Sequence, residues 1–111
     1  MLNLTKDKAW HALRSFKCKL TDRFADKVAL YVFGSVARGD FGPESDIDVL
    51  VLFDGQLTRD VEKEMMDAAF NVELDDDVVF GLMIESASEW RTPLFRAMPI
   101  HRVIDTEGVP V

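Results

Sequence analysis

Residues 34–53 read Gly34-Ser35-Val36-Ala37-Arg38-Gly39-Asp40-Phe41-Gly42-Pro43-Glu44-Ser45-Asp46-Ile47-Asp48-Val49-Leu50-Val51-Leu52-Phe53. The first half holds three of the six glycines and one of the four prolines, so it is a shaped loop with room for one helical turn. The second half places two acids ahead of a run that is apolar on both faces. That is the pattern of a central strand, Asp46 to Phe53, covered on both sides.

Working outward, Val28 to Phe33 is a short β-branched and aromatic run closed by Gly34, and reads as a buried strand. Before it, Trp10, Leu13, Phe16, Leu20 and Phe24 fall three and four apart, one stripe of a helix opening at Thr5 and ending near Asp26. After the central strand, Asp54-Gly55 is a turn. Thr58 caps a second helix to about Phe70, with Asp60 and Glu62 where the helix dipole favours acids and Val61, Met65 and Ala69 facing inward. A third strand runs from Val78 to Ile84. Ser86-Ala87-Ser88-Glu89 has the spacing of a capping box, and Pro93 and Pro99 break up the helical sequence that follows. Gly108 ends it, leaving Val109-Pro110-Val111 as a short edge segment. The order implies an α/β (α+β) fold with a small mixed sheet, and residues 1–111 as a single domain.

Composition narrows the function. Of the 111 residues, 48% are hydrophobic and eleven are aromatic, enough to build a core, so disorder is excluded. Residues 1–27 carry net charge +4 and residues 28–111 carry −11, a basic first helix beside an acidic body. Coating a polyanion needs clustered bases, so direct nucleic-acid binding is not expected. Cys18 is the only cysteine and cannot form an intrachain disulfide; it is expected to pack or sit half-buried. There is no apolar stretch of signal-peptide or membrane-spanning length, and a cytoplasmic location with no membrane contact is expected. His11 and His101 have no metal-ligand spacing, so zinc has little support.

Asp46 and Asp48 lie two apart on a strand and therefore project from one face. Adjacent carboxylates repel unless a cation neutralises them, and Mg²⁺ held by one or two carboxylates plus phosphate oxygens suits the pair. Gly34 allows close backbone approach directly after a strand, and the Ser35 hydroxyl and backbone N–H can hold a phosphate oxygen. Arg38 is the nearest base and could touch a phosphate or pair with Asp40 or Glu44. Taken alone, Gly34-Ser35 reads as a turn and the two acids as a solvated strand start. In this order they read as a phosphate cradle facing a metal clamp.

The spacing Gly34-Ser35-x10-Asp46-x-Asp48 resembles the signature of the DNA polymerase β-like nucleotidyltransferase superfamily. Gly34-Ser35-x-Ala37-Arg38-Gly39-Asp40 followed by Ser45-Asp46-Ile47-Asp48-Val49-Leu50-Val51 is similar to its minimal nucleotidyltransferase branch, the antitoxin partners of HEPN ribonuclease toxins. The resemblance implies Mg²⁺-dependent transfer of AMP from ATP to a tyrosine hydroxyl of a partner toxin, in a hetero- or homo-oligomer. It implies that Gly34, Ser35 and Arg38 hold the triphosphate and that Asp46 and Asp48 bind metal. It also implies a third carboxylate on a neighbouring strand, for which Asp77 is the candidate and Asp75 the second; three consecutive acids at 75–77 read equally as a solvated turn. Absence of a third carboxylate would favour a reading from another class, a module that binds nucleotide or toxin and neutralises by contact. A third reading is a transferase acting on a small hydroxylated molecule such as an aminoglycoside, although such enzymes usually carry a further domain to hold the acceptor. Trp90, Pro93-Leu94-Phe95-Arg96 and Glu107-Gly108 also fit the branch, although Pro99 interrupts its last helix.

Overall fold

The computed structural model describes residues 2–111. Helix α1 spans Lys6–Phe24, with the Thr5 side chain accepting from the Lys8 N–H at 3.1 Å. Its inward stripe is Ala9, Ala12, Leu13, Phe16, Leu20 and Phe24, all buried. A 3-10 turn over Ala25–Lys27 leads to β1, Val28–Phe33, then to a single helical turn, α2, Gly34–Arg38. Strand β2 is Ile47–Phe53, α3 is Arg59–Asp76, and β3 is Phe80–Ser86. Three short helices follow, α4 (Ala87–Trp90), α5 (Pro93–Arg96) and α6 (Pro99–Glu107), before the two-residue strand β4, Val109–Pro110.

The sheet is mixed, in the order β3-β2-β1-β4. β1 runs antiparallel to both β2 and β4, and β2 runs parallel to β3, with α3 in the crossover connection between them. Side chains alternate between the faces. Leu30, Val32, Ile47, Val49, Val51 and Phe53 meet α1 and α3 in the main core, where Phe16 and Phe80 approach to 5.2 Å between ring centroids. Phe33 and Leu50 face the other way, against Trp90 and Ile104 from the C-terminal helices. β2 is therefore covered on both faces, as its apolar run requires.

Helix α3 extends six residues past Phe70, because Val72 continues the buried stripe of Met65 and Ala69 by a further turn. It stops at Asp77, which takes the left-handed conformation (φ 56°, ψ 52°), so β3 starts at Phe80 instead of Val78. Pro99 does not break a helix; it occupies the first turn of α6, where its missing N–H has no intrahelical partner to lose. Cys18 is exposed, on the outer side of α1 between Lys17 and Lys19, correcting the expectation that it packs. Among the described residues, no helix is long and apolar enough to cross a membrane.

Candidate nucleotide and metal site

The centre of the site is the Asp48 side chain. Its strand register sets it between Phe33 of β1 and Gly81 of β3. A Cβ placed on Gly34 would lie 2.4 Å from Asp48 Oδ2, and a Cβ placed on Gly81 would lie 2.4 Å from Asp48 Oδ1. The carboxylate thus fills a hollow that exists because two neighbours lack side chains, one oxygen against each glycine. Gly34 has a second reason to be glycine: its φ of +72° is costly for any residue with a Cβ. The loop that follows β1 therefore approaches the carboxylate more closely than a residue with a side chain would allow.

Asp46 lies exposed immediately before β2. Partial burial, with the negative charge of Asp46 as second cause, pushes the Asp48 carboxyl above the ordinary aspartate range, while the Arg38 guanidinium pulls it the other way. The acids therefore repel in the way expected of a pair that a cation would satisfy. The turn feeding Asp46 is closed by Ser45, whose Oγ accepts from the Gly42 N–H at 2.8 Å.

Arg38 ends α2 and reaches two carboxylates. Its Nε donates to Asp40 Oδ2 at 3.2 Å and its Nη1 to Glu107 Oε1 at 3.1 Å, and these contacts raise its basicity further. The same Glu107 oxygen accepts from the Gly34 N–H at 3.1 Å. Glu107 lies 73 residues beyond Gly34 and was legible in sequence only as half of the Glu107-Gly108 pair; no spacing rule connects it to the loop. Ser35 is half-buried next to Gly34, and its carbonyl accepts from the Gly39 and Asp40 N–H groups, fixing the loop's return at Gly39 (φ 82°).

Asp77 is not brought to this site. It caps α3 in the left-handed conformation, is largely exposed, and lies 3.8 Å from Lys8 Nζ across the α1–α3 interface. Asp75 is exposed in the last turn of α3, and Asp76 accepts from or pairs with His11 at 3.0 Å. The three acids belong to a helix end, because Val72 draws the helix on to them. The β3 residue in register with Asp48 is Gly81, which has no ligand to offer. Among the described residues, no three His, Cys, Asp or Glu side chains converge on a metal-sized position. Two carboxylates with room for phosphate oxygens suit Mg²⁺ as a shared ligand of protein and substrate, not as a caged structural ion.

Comparison with known proteins settles the family. The sequence pattern of the nucleotidyltransferase domain matches residues 13–97, a span that includes the loop, the carboxylate pair and Gly81. The chain belongs to the nucleotidyltransferase domain family. Nucleotidyl transfer using a nucleotide and a metal ion is the chemistry of this family. The "Putative protein adenylyltransferase" of Methanocaldococcus jannaschii is 32% identical over 73 residues, covering 65% of this chain and 74% of that protein. A crystal structure of a toxin–antitoxin with AMP-PNP superposes with a TM-score of 0.54 at 22% identity, over 96% of this chain and 72% of that one. The crystal structure of a "putative nucleotidyltransferase" from Sulfolobus solfataricus gives 0.51 at 23% identity, over 93% of this chain and 85% of that one. At these identities the two structures establish that the fold is shared.

Proposed function

We propose that the chain binds ATP with Mg²⁺ and transfers AMP to a tyrosine hydroxyl of a partner HEPN-type toxin, acting as its antitoxin. The observation that carries this reading is the contact between loop and clamp: the Asp48 carboxylate lies against Gly34, so metal ligands and triphosphate loop are adjacent. Gly34, Ser35 and Arg38 take the triphosphate, and Asp46 and Asp48 hold Mg²⁺. Bound there, the ion would neutralise the carboxylate pair together with the phosphate oxygens they would otherwise repel. In the transfer, the acceptor hydroxyl gives its proton to solvent as its oxygen forms a bond to the α-phosphorus, the bond from that phosphorus to the β-phosphate oxygen breaks, and pyrophosphate leaves with that electron pair. This chain's residues contribute by positioning and charge, which is most of what such displacements require. The adenylyltransferase name of the Methanocaldococcus jannaschii relative and the AMP-PNP-bound toxin–antitoxin structure both support the donor and partner assigned here.

Gly81 favours a second reading. The β3 residue in register with Asp48 has no side chain, and Asp77, the candidate third carboxylate, is committed to the end of α3. A two-carboxylate site has one fewer group to hold metal or to receive the acceptor's proton, which suits a module that binds nucleotide and neutralises its partner by contact. Incubation with α-labelled ATP, Mg²⁺ and the product of the adjacent gene separates the two. Label on the partner supports transfer. A stable complex that takes up no label supports contact.

A further inference from the structure

We propose that Glu107 is the residue that sets the affinity of the cradle for nucleotide, by holding the same donors a phosphate oxygen would take. Its Oε1 accepts from the Gly34 N–H and from Arg38 Nη1, each at 3.1 Å. One is a backbone donor of the loop, the other its nearest cation. An oxygen that bridges a backbone N–H and an arginine is placed as a phosphate oxygen is placed in an anion site, and the carboxylate carries the matching charge. The inference rests on the reading of Gly34 and Arg38 as triphosphate ligands, and adds to it that these ligands are engaged before nucleotide arrives.

Charge makes the contact more than a structural tie. Arg38 is shared between Asp40 and Glu107, so its single positive charge faces two carboxylates. Asp46 and Asp48 stand nearby, the latter close enough to Arg38 for its charge to be felt. A triphosphate entering this field meets an arginine already neutralised and a backbone donor already occupied. It must displace Glu107 to take the Gly34 N–H, and it competes with Glu107 for Arg38 Nη1. Glu107 is the last residue of α6, and Gly108 and β4 follow it directly, with β4 paired to β1 at Val32 and Tyr31.

A residue that merely held the loop in shape would weaken nucleotide binding when removed; a competing carboxylate strengthens it. Calorimetric titration of the full chain with Mg²⁺ and AMP-PNP distinguishes these. Glu107→Ala is expected to bind about tenfold more tightly than the unaltered chain, and Glu107→Gln, which keeps an acceptor but not the charge, by a smaller factor of about three, in line with the greater strength of charge-assisted hydrogen bonds. Thermal melting of both variants verifies that they fold, and Glu107→Gln serves if Glu107→Ala does not. Equal or weaker binding by a folded variant overturns the competing role while leaving the nucleotide site in place. No binding by the unaltered chain or by either variant overturns the site as well. Binding that appears only in the variants supports the proposal in its strongest form.

Discussion

At the scale of single residues, two glycines and one aspartate define what this site can do. Asp48 occupies the gap between Gly34 and Gly81, and its carboxyl is held above the ordinary aspartate range by burial and by Asp46. A carboxyl with a raised folded value contributes stability that is fully present below the unfolded value, near 3.8, and is lost as pH rises through the folded one. The metal-free chain therefore forfeits this contribution at neutral pH. Asp48→Asn is expected to melt higher than the unaltered chain at pH 7 without Mg²⁺, and the gap should close as the pH is lowered toward 4, a comparison that thermal melts in two buffers provide. Unchanged melting at pH 7 would show that burial and the Asp46 charge together do not penalise the Asp48 carboxylate as described. Gly81→Asp tests the other half of the site. Its new Cβ meets the Asp48 carboxylate and lies 3.8 Å from the Asp48 Cα, so the carboxylate must shift to admit it, and a second carboxylate is then presented beside Asp48. Tighter Mg²⁺ binding, read by titration calorimetry in the presence of AMP-PNP, is the expected outcome, and an affinity no higher than that of the unaltered chain counts against Gly81 as the vacant position.

At the scale of elements, the sequence was most legible where periodicity and turn chemistry agreed, and least where an element ended. The stripe of α1, the strands either side of the glycine loop and the Thr58 cap all follow from spacing, and the Thr58 side chain does accept from the Val61 N–H at 3.2 Å. The end of α3 did not follow. Asn71, Glu73, Asp75 and Asp76 look like a solvated connection, yet one buried valine, Val72, carries the helix through them, and Asp77 terminates it with a backbone conformation that composition does not announce. Placing the third carboxylate at Asp77 depended on that boundary and went with it. The loop residues Gly34, Ser35 and the Asp46–Asp48 pair were readable because local backbone geometry brings them near. Glu107 was not, because only the pairing of the C-terminal strand with β1 returns it to the loop. α3 also shows which of its apolar residues hold the fold: Met65 is fully buried, whereas Phe70 is 57% exposed. Met65→Ala should lower unfolding free energy by about 2–5 kcal/mol, and Phe70→Ser should change it by no more than about 0.5 kcal/mol, both measurable by urea denaturation. A large loss at Phe70 would mean that this face is covered in the folded chain.

At the scale of the whole molecule, the formal charge of −7 and the mixed sheet point to the same arrangement. The bases of α1 are drawn on to the acids of α3, through Arg23 with Glu64 and Lys8 with Asp77, so the basic N-terminal region is partly neutralised within the chain. Such exposed pairs stabilise weakly, and their effect is to direct charge more than to hold the fold. On the opposite face, the glycine loop with Arg38, the two aspartates and Glu107 gather from three parts of the sequence around the first turn after β1. The surplus of acid there is what a divalent cation and a triphosphate together would balance. The measurement that bears most directly on this arrangement is transfer of label from α-labelled ATP, with Mg²⁺, to the product of the adjacent gene, made in parallel with the unaltered chain and Asp46→Asn. Label on the partner that disappears in Asp46→Asn, while the two proteins still associate, is the expected result. Label that persists undiminished in Asp46→Asn, or a complex of the unaltered chain that forms and takes up none, would contradict transfer by this carboxylate pair.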